Sequence, residues 1–348
     1  MDTRWRVIAA SGLIALIFLV VQLGALALVE PFQSAGYQAV EDPSDPTNSI
    51  AYVFAILVAT AVMLAAFKFN VDQLIRAIVV FSGAWLSLFV FRVVVPPVVT
   101  VGGFNVVAWG LAALVAAGLL VYPEWYVIDA TGAVMGAAAA GLFGISFGIL
   151  PALVLLTVLA VYDAISVYGT EHMLTLASGV MDLRVPVVLV IPLSLSYSFL
   201  DAETPTPGAE DDADGPDGDT TASDAPLTDG EGDSGPAEDQ PDASPGGPLD
   251  RDALFIGLGD AVIPSVLVAS SAFFAPAGIA TVLGVPLPTV TAMVGTFAGL
   301  AVLLWMVLKG RAHAGLPLLN GGTIAGYLLG ALAAGITLVD ALGLAPYL

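Results

Sequence analysis

Apolar runs of about twenty residues recur along this chain, and a run of that length matches the hydrocarbon core of a bilayer better than any soluble core. Nine are readable, at residues 7–29, 50–69, 75–95, 106–122, 128–149, 150–169, 254–275, 288–308 and 316–339. Backbone groups in hydrocarbon must bond within their own segment, so the pattern predicts an all-α, polytopic membrane bundle of about nine transmembrane helices. A content of 58% hydrophobic and 11% charged residues agrees. For the first run a cleaved signal peptide competes, helped by Ala25-Leu26-Ala27. The run is, however, longer than the ~7–15 apolar residues usual in such peptides.

The net charge of -21 is concentrated in one place. Of 30 acidic residues, 16 fall between Asp201 and Asp250, where Lys and Arg are absent. That stretch is rich in Asp, Gly, Pro and Ser and has too little apolar area to offset chain ordering, so it reads as a disordered acidic linker. It divides the chain into an N-terminal membrane portion, 1–200, with six spans, and a C-terminal portion, 251–348, with three. Residues 185–200, apolar but short and containing Pro186 and Pro192, read as a re-entrant or interfacial piece. Arg4, Arg6, Lys68, Arg76, Arg184, Arg251, Lys309 and Arg311 all fall on one side of a nine-span count, and only Arg92 lies near the other. By the positive-inside rule the N-terminus and the linker are cytoplasmic and the C-terminus is outside. The acidity belongs to a solvated loop, and nucleic acid is not an expected partner.

Cysteine is absent, which excludes disulfides and thiolate chemistry, and His172 and His313 are too far apart in sequence to suggest a zinc centre. The residues that stand out are two acids within the apolar runs. Asp163 follows Tyr162 in the sixth run, and Asp260 closes Gly257-Leu258-Gly259-Asp260 in the seventh. A charge in such a place costs about 3 kcal/mol on insertion scales, so it normally faces a partner, a cavity or a reaction. Counting helical rise from the polar ends of the two runs places both carboxylates roughly 10–12 Å inside the same membrane face. When two carboxylates meet there, one holds a proton and the other does not. That is the minimum equipment for aspartyl proteolysis, in which the ionised acid activates water and the protonated one polarises a carbonyl.

These residues resemble the presenilin and signal peptide peptidase group of GxGD intramembrane aspartyl proteases, particularly its archaeal members. The resemblance rests on Tyr162-Asp163, on Gly257-Leu258-Gly259-Asp260, on the hydrophilic loop between them and on the nine-span count. It implies catalysis by Asp163 and Asp260 supported by Tyr162, Gly257, Leu258 and Gly259, with water as co-substrate and no cofactor or metal. The implied partners are transmembrane proteins or signal peptides, met in the cell membrane of an archaeon. The family's Pro-Ala-Leu motif is replaced by Ala314-Gly315-Leu316 followed by Pro317-Leu318. The resemblance implies that Gly315, Leu316, Pro317 and Leu318 line the substrate site.

Four further expectations follow from single residues. The glycines before Asp260 and Pro264 after it weaken the helix around the carboxylate. Pro317 keeps the start of the ninth run from closing as regular helix. The Tyr162 hydroxyl is placed to bond Asp163 or a water. Asp129, Asp340, Asp182 and Glu171 lie near span ends, where acids are solvated or face headgroups. Two other functions fit the same aspartates, a proton- or cation-coupled transporter and a noncatalytic membrane scaffold. Deleting residues 204–245 is expected to leave the thermal unfolding midpoint of the purified protein unchanged, and a lowered midpoint would give the linker a structural role.

Overall fold

Small residues at close helix crossings organise this chain, a computed structural model that describes residues 3–69, 71–169, 186–193, 197–198, 200, 253–309 and 314–347. The acidic linker, Glu171, His172, Asp182 and His313 lie outside the described residues. Nine apolar helices occur among those described. They are α1 (Thr3–Ser34), α2 (Thr47–Lys68), α3 (Asp72–Val94), α4 (Val106–Val121), α5 (Trp125–Ser146), α6 (Ile149–Gly169), α7 (Leu258–Phe273), α8 (Leu287–Val307) and α9 (Gly315–Ala333). A short α10 (Leu338–Ala341) follows. The expected membrane bundle of about nine helices agrees with this, with seven described helices of 18 or more residues and two, α4 and α7, of 16.

Helix α5 is the hub, because its glycines and alanines let neighbours approach. Gly132, Gly136, Ala137, Ala138, Ala140, Gly141 and Gly144 are all buried, and α5 packs against α1, α7 and α3. A Cβ on Gly141 would sit 3.4 Å from the carbonyl oxygen of Ala25 in α1. Helix α7 is equally central, touching α1, α5, α6, α8 and α9. Helix α2 packs mainly on α6 and leaves most of its surface exposed. Between α5 and α6 the chain breaks at Phe147-Gly148, where the Gly148 N–H donates to the Pro43 carbonyl (2.6 Å). Pro151, expected near this boundary, lies in the first turn of α6, where a missing donor costs no helical bond.

Three two-stranded antiparallel sheets complete the described chain. β1 (Thr100–Val101) with β2 (Phe104–Asn105), and β5 (Thr281–Val282) with β6 (Val285–Pro286), are tight hairpins between helices. The third changes the sequence-based picture. β3 (Val188–Pro192) pairs with β4 (Ala253–Gly257), Val188 opposite Gly257 and Pro192 opposite Ala253. Residues 188–192 are therefore a strand within the bundle, and the seventh run, expected to be helical from Leu254, is extended up to Gly257. A helix of 16 residues is about 24 Å long, so the strand supplies the remaining length of this segment. The ninth run also differs, ending at Ala333, because Gly335 (φ +83°) turns the chain and the Ile336 N–H closes back on the Ala331 carbonyl.

Helices α8 and α9 meet along their glycines. A Cβ on Gly295 would collide with the carbonyl of Gly322, one on Gly322 with that of Gly295, and one on Gly326 with that of Thr291. The two backbones therefore touch, as small residues at a helix interface allow. Gly322→Leu is expected to destabilise the protein by about 3 kcal/mol or more through overpacking. Gly110→Ala in α4, where an added Cβ meets no described atom within 4 Å, should be neutral or stabilising by up to about 1 kcal/mol. Thermal unfolding of the two variants checks the contrast, and equal midpoints would contradict it.

Candidate active site

Asp163 sits near the end of α6 with only 7% of its surface exposed. Its Oδ2 accepts a hydrogen bond from the backbone N–H of Leu316, 3.0 Å away. Leu316 is the second residue of α9, and the first N–H groups of a helix have no intrahelical acceptor. Asp163 thus meets one of those open donors at the positive end of the helix dipole.

Asp260 reaches the same point from the other side. It lies in the first turn of α7, directly after β4. The residue before Leu316 is Gly315, and a Cβ placed on it would lie 3.2 Å from Oδ2 of Asp260. Gly315 and Leu316 therefore each lie beside one aspartate, Asp260 and Asp163 respectively. Acids on α6 and α7 are brought together at one helix N-terminus.

The glycines of the tetrapeptide leave room at this point. An added Cβ on Gly259 would meet no described atom within 4 Å, and one on Gly257 would meet only the Asp260 carboxyl. Pro264 lies inside α7 and cannot donate to the carbonyl of Asp260 four residues earlier, so the helix is weakened where the carboxylate sits. Leu258, between the glycines, is buried against α5, its Cδ1 lying 3.2 Å from the Cβ position of Gly136.

Several residues behave differently from expectation. Pro317 does not hold α9 open. The helix begins at Gly315, and Pro317 occupies its first turn, where no intrahelical donor is needed. Tyr162 is 38% exposed while Asp163 is buried, because adjacent helical residues point about 100° apart. The bond to Asp163 comes from Leu316 instead. The Leu318 carbonyl lies against Gly299 of α8. Gly315, Leu316, Pro317 and Leu318 are all half-buried, the first two beside Asp260 and Asp163 respectively. Asp129 is not solvated. It is 6% exposed, and its Oδ1 accepts the N–H of Val190 in β3 (2.8 Å). Asp340 is exposed, as expected, and bonds Thr337.

Asn320 was given no role from the sequence. It is fully buried in α9, and its Nδ2 donates to the Leu156 carbonyl of α6 (2.9 Å), about two turns before Asp163. This bond fixes how α9 lies along α6, and hence where the Leu316 N–H falls. An amide in an apolar run is the signal that finds it.

The family model for signal-peptide peptidase, presenilin aspartyl protease, matches residues 15–336. The chain belongs to this family. Two solved structures of a presenilin family intramembrane aspartate protease, in space groups C222 and P2, are each 31% identical to it. They match 92% of this chain and 98% and 96% of their own, with TM-scores of 0.59 and 0.58. A comparison with curated protein sequences gives no match. The protein is thus an intramembrane aspartyl protease, a hydrolase embedded in the membrane.

For a presenilin-family chain the motif departure has a steric reading. Where the family carries Pro-Ala-Leu, Gly315 stands in place of Ala, and a methyl there would press on Asp260. Gly315→Ala is expected to keep cleavage within about threefold, because a shift of a few tenths of an ångström accommodates it. Gly315→Val should lower cleavage by about tenfold or more by displacing the carboxylate. Initial rates on a single-span substrate, with unfolding midpoints as control, check this. Full activity of Gly315→Val would remove the residue from the site.

Proposed function

We propose that the protein hydrolyses peptide bonds within transmembrane segments of membrane proteins or signal peptides, using Asp163 and Asp260 as a dyad that shares one proton. The observation that carries this reading is the convergence of both carboxylates on Gly315-Leu316. In the working state the ionised aspartate takes a proton from water as the water oxygen attacks the scissile carbonyl carbon. The protonated partner gives its proton to the carbonyl oxygen, forming a gem-diol. As the C–N bond breaks, a proton returns to the departing amine, leaving a carboxylic acid and an amine as products. The Leu316 N–H holds the Asp163 carboxyl in one orientation throughout.

A substrate helix must first unwind, and its released N–H and C=O groups need partners in the bundle. Extended backbone already ends beside the dyad at Gly257 in β4. We place the unwound substrate alongside it, over the open space at Gly259 and against Gly315, Leu316 and Pro317. Water enters from the side to which the charge distribution assigns the N-terminus and the acidic linker, the cytoplasm, with the C-terminus outside.

Asp163→Asn and Asp260→Asn should each abolish cleavage of a labelled single-span substrate by the purified protein while the unfolding midpoint stays within a few degrees. The double variant should be no worse. The rate should be bell-shaped in pH, falling on the acid side when both carboxyls hold protons and on the alkaline side when both are ionised. Substantial proteolysis by either single variant would contradict the dyad, and labelled ion uptake without cleavage would favour a transporter.

A further inference from the structure

Among the described residues the mechanism leaves two buried acids unused, Glu124 and Asp129. Asp129 lies in the second turn of α5, 6% exposed, with Oδ1 on the Val190 N–H and Oδ2 without a partner among the described residues. Why that N–H is available follows from the strand ladder. The Leu258 N–H donates to the Val187 carbonyl (2.8 Å), and antiparallel pairs alternate between bonded and non-bonded. Leu189 and Ile191 therefore bond across to β4, while Val188 and Val190 direct their N–H groups away from it. Asp129 accepts on that outer edge, as a third strand would.

The same stripe of α5 holds the rest of this unit. Gly132, three residues on, has Leu189 Cδ2 3.1 Å and the Pro186 carbonyl oxygen 3.6 Å from its Cβ position. Gly136, a further turn along, takes Leu258. Towards the other end, Glu124 accepts the Ser198 hydroxyl (2.6 Å), tying down the chain beyond β3. Leu258 is two residues before Asp260, so the stripe holds β3, the β3–β4 ladder and the root of α7 together.

We propose that Asp129 is a positioning residue for Asp260: its carboxyl clamps the outer edge of β3, and the paired β4 then fixes where α7 begins and which peptide bond meets the dyad. This rests on the reading of Asp260 as half of the dyad. An aliphatic residue in the same place would leave the Val190 N–H buried and unpaired, a loss that a strand avoids by shifting. An amide oxygen serves as well as a carboxylate, so the clamp needs an acceptor and not a charge.

The test uses purified full-length protein and a single-span substrate. Asp129→Asn is expected to keep cleavage within about threefold, whereas Asp129→Leu, similar in size but without an acceptor, should lower kcat by about tenfold or more with KM nearly unchanged. The remaining cleavage should spread to neighbouring peptide bonds. The chain has no cysteine, so Val190→Cys with Phe255→Cys, opposite each other in the ladder, can tie β3 to β4 by a disulfide. In the Asp129→Leu background, oxidation should restore the rate and the single cleavage position, and reduction should remove both. Asp129→Leu cutting at the same bond with an unchanged rate would overturn the proposal, as would an inactive Asp129→Leu that the disulfide fails to rescue. Should the unmodified chain cleave nothing, the dyad reading fails separately. The rate of disulfide formation still tests the clamp, faster with Asp129 in place and overturned if equal with Leu.

Discussion

Two carboxylates inside a membrane need something to hold them together, and in this chain it is the first turn of α9. Its open N–H at Leu316 bonds Asp163, and the missing side chain at Gly315 lets Asp260 come alongside. A helix N-terminus suits the task because its donors have no other acceptor and its dipole favours negative charge. The contact is only as good as the placement of α9. That placement depends on the Asn320 bond to α6 and on the glycine-to-backbone contact with α8.

Asp260 imposes a second constraint, since it follows a segment that is extended and not helical. Extended backbone within a bundle leaves N–H and C=O groups that lipid cannot satisfy. Pairing of β4 with β3 meets one side of the need, and on the outer edge of β3 the Asp129 carboxyl meets the Val190 N–H. The result is a short rigid strand feeding a weakened helix start, with Gly257 and Gly259 leaving open space and Pro264 withholding a bond from the Asp260 carbonyl. On the proposed mechanism an unwound substrate needs such a place, where extended backbone is already accommodated.

Hydrophobic run length located the nine described helices, though not the start of α7 or the end of α9, because the bilayer sets one length scale for every span. The two aspartates were equally legible, since charge within an apolar run has few explanations. What stayed hidden was pairing between distant segments. Residues 188–192 and 253–257 are apolar, short and unlike strands of a soluble sheet, and the partner of each is far away in sequence. Asp129 looked solvated for the same reason, as its acceptor role exists only once β3 lies beside α5. Pro317 leaves α9 intact, because a proline breaks a helix in its middle and is harmless in its first turn.

The central claim is that Asp163 and Asp260 face each other at the start of α9. The chain is naturally free of cysteine, so Asp163→Cys with Asp260→Cys gives a clean reporter of proximity in native membranes. A reagent spanning about 5 Å, the reach of a directly facing pair, should cross-link the two efficiently, and a control pair at Asp129 and Asp163 should stay unlinked. Failure of the 163/260 pair to cross-link while both cysteines remain reactive to a small label would contradict the account.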